Sequence, residues 1–361
     1  MSPIDSTAPD ARRAAEPNAV PCHDTIVVGG SAGALKALTA IAGGLPADLD
    51  AALFVVQHLS PAHPSLLPQI LSDAGPLPAV HPADGEAVRK GRIYVAPPDH
   101  HLLLAPGRIR VVRGPRENRF RPAIDTLFRS AARAYGPRTV GVVLTGILDD
   151  GTVGLQAIKQ RGGVAVVQDP GEAEYPAMPS SALRYARVDH ALPLARIPDL
   201  LVRLSRQPAG PPGASGAQPA DIETDVAEQD LDSAALLASV ETIGTRSTYT
   251  CPACNGVLWE VTGSEPLRFR CHVGHAYGAG DFLAEQTRTL ENALWSAVRL
   301  MEEKVSFSRR MADRRRSLDL PEAAKPYEDY ADQLDREVAA LRRLILNGSA
   351  IRNLAAGVED G

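Results

Sequence analysis

The sequence predicts an α/β chain: a doubly wound, mostly parallel sheet with an inserted β-hairpin, then a small cysteine-rich module and a helical hairpin. Three observations lead there. The short runs TIVVGG, ALFVVQ, TVGVVLTG and GVAVVQ are rich in Val and Ile with little polar alternation, as strands buried on both faces are. Helical patterns at 33–43, 64–73, 151–161 and 195–206 follow most of these runs, which makes βα units and a sheet covered on both sides. The Pro-, Gly-, Ala- and Ser-rich stretch RQPAGPPGASGAQPAD, residues 206–221, has almost nothing to bury and separates that unit from the C-terminal third of the chain.

Taken in order, residues 1–23 read as a disordered lead and 24–206 as the α/β domain. Within it, RIYVAPPDHHLLLAPGRIRVVR breaks the βα rhythm, because Pro-Pro-Asp and Pro-Gly divide it into three short runs; a meander or hairpin is expected there. Residues 207–247 read as a linker, 248–276 as the Cys/His module and 281–346 as two helices. Leu283, Thr287, Leu290, Leu294, Ala297, Met301 and Val305 recur at spacings of three and four, and so do Tyr327, Tyr330, Leu334, Val338, Leu341 and Ile345. Pro321 lies between the two stripes, which suits an antiparallel pair. The seam fits either a packed hairpin or a coiled coil that would join two chains as a homodimer.

At 361 residues the chain exceeds what one hydrophobic core usually fills, so more than one domain is expected. A hydrophobic share of 44% and a charged share of 22% exclude a disordered or fibrous chain. The net charge of -5 and pI near 6.0 give no global reason to bind nucleic acid or an anionic membrane surface. The local run Arg309, Arg310, Arg314, Arg315 and Arg316 reads as a solvated helix face. The N-terminal stretch lacks the apolar core of a signal peptide, and no segment reaches the ~20 apolar residues of a membrane span. A cytoplasmic enzyme or regulator without direct membrane insertion is expected.

The first strand runs into Gly29-Gly30-Ser31-Ala32-Gly33. Gly29-x-Ser31-x-Gly33 matches the pattern in which a serine sits on a tight strand-to-helix turn. The N–H groups at the start of the next helix point back at that bend, where they favour negative charge. A phosphate-binding loop or a plain turn would read the same way. His58 follows the next strand, LFVVQ, so in a parallel sheet it shares the carboxyl edge with Ser31 and can serve as its base. His63, His81, His100 and His101 sit among prolines and read as capping or surface residues. Asp149 and Asp150 follow TVGVVLTGI at the same edge. One of them can orient the imidazole while the other caps the next helix. The chain order Ser, His, Asp departs from the Ser, Asp, His order of α/β-hydrolases, which disfavours a lipase or esterase of that kind.

The blocks VVGGSAGALKAL, FVVQHLSPAH, IYVAPPDHHLLL, RPAIDTLFRSAARAYG, VVLTGILDDGTVGL and MPSSALRYARVDHALPL, in this order over residues 24 to 204, resemble the catalytic domain of CheB-type protein-glutamate methylesterases. The resemblance implies a serine hydrolase that cleaves glutamyl methyl esters on chemoreceptors, and in some members deamidates glutamines. It places the nucleophile on Ser31, the base on His58, the aspartate on Asp150 rather than Asp149, and the oxyanion donors on the backbone N–H groups of Ala32 and Ile147. It implies no cofactor for catalysis and a methylated chemoreceptor-like protein as partner. The family commonly has methionine where Ile147 stands and glycine where Leu148 stands, and the second departure bears on the shape of the substrate groove. Chemotaxis enzymes of this type carry an N-terminal phosphoacceptor domain. Only 23 residues precede the first strand here, so a standalone form without such a domain is expected. The rival reading is a regulatory or scaffold protein that keeps the hydrolase fold and binds partners without turnover.

Four cysteines are present, Cys22 alone and Cys251, Cys254 and Cys271 close to His272 and His275. Cys251-x-x-Cys254, sixteen residues, then Cys271-x-x-x-His275 is the spacing of a closed structural zinc site, which would make residues 248–276 a zinc ribbon. Removing the metal is then expected to melt this module and leave residues 24–206 folded and active. His272 is the alternative fourth ligand, although an adjacent Cys-His pair is harder to turn onto one ion. Similar tails occur on standalone members of the family.

Overall fold

The computed structural model describes residues 21–59, 64–213, 216, 218–228 and 233–347. Expectations for residues 1–20 and for His63 fall outside the described residues. The α/β domain runs β1 (Thr25–Gly30), α1 (Ala34–Gly44), β2 (Ala52–Gln57), α2 (Leu67–Ala74), β3 (Ala79–Val80), β4 (Arg92–Val95), β5 (His101–Ala105), β6 (Arg108–Val112) and α3 (Ile124–Tyr135). It continues with β7 (Thr139–Val143), α4 (Thr152–Gln160), β8 (Val164–Gln168), α5 (Ala177–Tyr185), β9 (His190–Leu192) and α6 (Ile197–Ser205).

Seven of these strands form one sheet in the order β3-β4-β2-β1-β7-β8-β9, and every pairing in it is parallel. The four Val-rich runs are its four central strands β2, β1, β7 and β8, and β1 and β7 are buried along their full length. Apolar side chains of alternate strand residues feed two cores. Ile26, Val28, Leu53 and Val140 pack beneath α1, α2 and α6; Val27, Phe54, Val143 and Val167 pack beneath α3, α4 and α5. The chain turns from β1 to β2 on one side and reaches β7 on the other, so the sheet reverses direction beside β1. Crevices at the carboxyl ends of strands form at such a point.

The insert contains the hairpin expected there, although only two of its three runs form it. RIYV is β4 and pairs with β2 in the main sheet, whereas only β5 and β6 make the separate antiparallel hairpin. The reason is burial: Ile93, Tyr94 and Val95 are fully covered, so this run belongs inside the sheet.

The segment read as a linker is also more structured than its composition suggested. It carries α7 (Pro219–Glu228) and α8 (Ser233–Ile243), and Glu223, Thr224, Val226 and Ala227 of α7 are buried. Pro21–His23, assigned to the lead, is tied to the far end of the domain by a bridge between Cys22 and Pro208 and by the His23 N–H bond to Gln207 O.

Beyond lies an antiparallel sheet of β10 (Gly244–Thr250), β11 (Val257–Val261), β12 (Arg268–Cys271) and β13 (Ala276–Gly278). Its core is small: Leu258, Phe269, Tyr277 and Phe282 around Cys251 and Cys271. Two long helices follow, α9 (Ala279–Arg316) and α10 (Pro321–Asn347). They pack on each other as a hairpin through Val298, Val305, Ala331, Leu334, Val338 and Ile345. Arg309 and Arg316 of the basic run pair with Asp335 and Glu328 across that hairpin. Among the described residues no helix is long and apolar enough to cross a membrane.

Candidate active site

Ser31 lies just beyond β1, His58 just beyond β2 and Asp150 beyond β7, three adjacent strands ending at one edge. The bend at Ser31 needs its glycines for two reasons. A Cβ on Gly29 would lie 2.2 Å from Ile124 Cγ2, and Gly33 has φ +72°, the left-handed region. The Ser31 N–H donates to Thr145 O at 3.0 Å, which fixes the turn against the strand that brings Asp150.

The three side chains form a hydrogen-bonded chain. His58 Nδ1 is 3.0 Å from Ser31 Oγ, and His58 Nε2 is 2.8 Å from Asp150 Oδ2. A carboxylate only accepts, so Nε2 carries the hydrogen toward Asp150 and Nδ1 offers its lone pair to the serine. The side chains of His58 and Asp150 are only 3% and 2% exposed, which keeps water from competing for that bond. The Phe120 ring stacks on the imidazole, centroids 3.6 Å apart and 8° from parallel, and so fixes its plane.

Asp150 is held from several sides. Its Oδ2 accepts the Ile124 N–H at 2.7 Å; its Oδ1 accepts the Asp125 N–H at 3.1 Å and the Asn118 amide at 2.8 Å. Burial alone would raise its pKa, but the hydrogen bond and charge of His58, with the Ile124 and Asn118 donors, hold it below the ordinary carboxylate value. Asp125 is pushed the other way, to about 7, by burial and then by the Asp150 charge, and spends its Oδ1 on the N–H groups of Gly151 and Gly154. Asp149, the alternative left open by the residue pattern, does not reach His58. It faces the tail, and burial and Asp150 raise it to about 6.

The N–H groups of Ser31 and Gly146 are used internally, by Thr145 O and Tyr175 O, whereas those of Ala32 and Ile147 bond to no group among the described residues. The Thr145 hydroxyl donates to Ala32 O at 3.1 Å and steadies the turn that carries the first of them. Leu148 has φ +69°, a backbone shape that glycine adopts without cost and leucine does not.

Sequence reasoning missed Asn118 and Phe120, which lie in the loop between the insert and α3, and Asp125 in the first turn of α3; none matches a general motif. It also misplaced His101, which is fully buried on β5 and bonds to Pro115 O at 2.7 Å.

The tail closes against this loop. Asn118 N–H donates to Ala276 O at 2.9 Å, and Ala276 N–H to Arg116 O at 3.3 Å. Below them runs a buried ion network: Glu117 with Arg129 and Arg270 at 2.8 and 2.9 Å, and Glu223 with Arg270 and Arg268. Its members come from the loop, α3, α7 and β12, so removal of any one would strand buried charge.

In the ribbon, Cys251, Cys254, Cys271 and His275 bring one donor atom each within 4.8 Å of one another. Cys254 Sγ is 3.7 Å from Cys271 Sγ, and His275 Nδ1 is 3.8 and 3.5 Å from the sulfurs of Cys251 and Cys271. A tetrahedral zinc with Zn–S near 2.3 Å wants donors about 3.5–3.8 Å apart, so the set fits and could hold a metal ion. His272 is not part of it; its exposed side chain turns toward Gly256 and Trp259.

The family model for CheB methylesterase matches residues 26–201. A putative protein-glutamate methylesterase/protein-glutamine glutaminase of Leptospira interrogans is 37% identical over 185 residues, 51% of this chain and 96% of that one. The chain belongs to the CheB methylesterase family. Another member, protein-glutamate methylesterase/protein-glutamine glutaminase 2 of Anaeromyxobacter dehalogenans, is 37% identical over 195 residues, 54% of this chain and 57% of its own length. A solved CheB methylesterase catalytic domain, from Thermotoga maritima, is 32% identical, with a TM-score of 0.48 over 50% of this chain and 98% of that one. The CheB match contains the whole Ser31, His58 and Asp150 chain together with Asn118 and Phe120. The ribbon and helical hairpin lie outside it.

Proposed function

We propose that the chain is a protein-glutamate methylesterase whose nucleophile is Ser31. The observation that carries this reading is the unbroken hydrogen-bonded chain from Ser31 through His58 to Asp150 at the switch point of the sheet. As Ser31 Oγ attacks the carbonyl carbon of a glutamyl methyl ester, its proton passes to Nδ1 of His58. Asp150, held ionised by its donors, stabilises the imidazolium through Nε2–H. The oxyanion forms against the N–H groups of Ala32 and Ile147. The tetrahedral intermediate then collapses: the C–O bond to the methoxy group breaks, Nδ1–H protonates the leaving oxygen, and methanol departs. Water gives a proton to Nδ1 and attacks the acyl carbon; the C–O bond to Ser31 Oγ then breaks, Nδ1–H returns the proton to Oγ, and the glutamate is released with Ser31 restored. A glutamine side chain would follow the same course with ammonia as the leaving group. A methylated chemoreceptor-like protein is the substrate. The Cys251, Cys254, Cys271 and His275 set holds a structural zinc with no coordination position left for catalysis.

The test is mass spectrometry of a methylated receptor fragment incubated with the chain. The expected result is loss of one methylene mass per esterified glutamate, with methanol released in equal amount. An unchanged spectrum alongside rapid fluorophosphonate labelling of Ser31 would show a serine hydrolase with a different substrate.

A further inference from the structure

Between the 116–121 loop and the tail lies a cleft of about 550 Å³, lined by Arg116, Arg119, Phe120, Arg121 and, from α9, Arg288. Four guanidinium groups face one lining carboxylate, Glu285, which Arg119 and Arg288 share. Arg121 pairs with Asp99, behind the wall, and Asp99 is already matched by Arg113. Asp281, a further 3.9 Å from Arg119, is buried beneath it. Arg116 is exposed and makes no ion pair among the described residues. The cleft is therefore a cationic spot on a chain of net charge -5, and it is complete only with the tail docked, because Arg288 comes from α9.

Its position relates it to the chemistry. One edge of the cleft is Phe120, whose other face lies on His58. A polypeptide in extended form advances about 3.3 Å per residue, so a segment in the cleft is only a few residues from one whose side chain reaches Ser31. We propose that this cleft docks an acidic segment of the polypeptide substrate, its Glu or Asp carboxylates engaging Arg116 and Arg288. That the docked segment belongs to the substrate rests on the methylesterase reading; the preference for carboxylates rests on the arginines alone. Each turnover at Ser31 would convert a neutral ester into one more carboxylate, so a partly hydrolysed substrate would be held better than a fully esterified one.

Binding is measured without catalysis, by fluorescence anisotropy at low salt, using the full chain and a labelled, unesterified Glu/Ala peptide. A Gln/Ala peptide of the same length is the control. The expected result is binding of the Glu peptide only, weakening steeply with salt, and a loss of roughly tenfold in the double variant Arg116→Ala/Arg288→Ala. Acylation of Ser31 by a small ester such as p-nitrophenyl acetate is expected to be unchanged in that variant, since neither arginine touches the triad. Equal binding of the Glu peptide by the double variant would overturn the proposal, as would equal binding of the Gln peptide. A phosphorylated peptide or oligonucleotide that displaced the Glu peptide at far lower concentration would also overturn it, in favour of a phosphate-bearing partner. Glu-peptide binding with no acylation of Ser31 would leave the docking site supported and remove only the hydrolase reading.

Discussion

The backbone N–H of Gly278, in the last ribbon strand, donates to Asn118 Oδ1 at 3.2 Å, while the Nδ2 of the same Asn118 donates to Asp150 at 2.8 Å. One amide side chain thus joins the tail to the acid of the candidate triad. Asn118 also holds φ +48°, and its own N–H is taken by Ala276. Two residues further on, the same loop lays Phe120 on His58. The tail therefore clamps the loop that supports both His58 and Asp150, and the contacts that hold the candidate triad extend beyond the family region.

This clamp runs against the expectation that melting the ribbon would leave the α/β domain fully active. On the proposed zinc reading, chelation, or replacing Cys254 by Ser, is expected to loosen β13 from the 116–121 loop and lower kcat by on the order of ten- to a hundredfold. The α/β sheet should stay folded. The checks are p-nitrophenyl acetate turnover and circular dichroism against bound zinc. Asn118→Ala, with the ribbon intact, should reproduce the loss at unchanged zinc content; full activity in both variants would refute the coupling.

Ser31→Ala and His58→Ala should each lower turnover by on the order of 10⁴-fold, and the double variant should be no worse than either, because the two act as one unit. Ser31 lies partly exposed on a turn, so its loss should shift Tm little. Methanol release from methylated receptor by Ser31→Ala at near the native rate would end the assignment.

Gly278 is close-packed against the α/β domain: a Cβ there would lie 2.7 Å from Asp149 Oδ2. Gly278→Ala should push β13 outward and break its bond to Asn118. The expected outcome is faster limited proteolysis between 207 and 247 and a kcat lowered to the level of Asn118→Ala. Native proteolysis and native kcat would show that the interface can absorb the methyl group.

Much of the α/β domain was legible because its strands are buried on both faces, and such strands announce themselves as unbroken Val-rich runs. Ser31 and His58 were legible for a related reason: each directly follows one of those runs. Asp150 was separable from Asp149 only by resemblance, since both follow β7 and the choice depends on which side chain turns inward under Ile124. Asn118 could not be read, because its role is set by contacts with Asp150 and Gly278, 32 and 160 residues away. The same holds for α7, whose helix is stabilised less by its composition than by Glu223 meeting Arg268 and Arg270.

The seam between Asp149 and the tail should respond to pH. Asp149 is raised from 3.8 to about 6, first by burial and then by the charge of Asp150, with Arg268 of β12 opposing. Asp281, in the first turn of α9, is also raised, by burial and by the charges of Asp149 and Asp150, against Arg119. A carboxyl whose folded value is raised favours the folded state while protonated. Its contribution is full below about pH 4 and is lost as pH rises through about 6. Two units correspond to roughly 3 kcal/mol at full burial, and the partial exposure of Asp149 reduces that to roughly 1–2 kcal/mol. Asp149→Asn, which stays neutral, should thus match the native chain near pH 3.5 and exceed its unfolding free energy by about that amount at pH 8, with the difference opening mainly between about pH 4 and 6. Asp125 titrates in both chains, whereas Asp281 is raised partly by the Asp149 charge, so the difference reads Asp149 together with that coupling. Urea unfolding across pH 3.5–8 measures it, and two curves that run parallel over that range would show that Asp149 bears no such load.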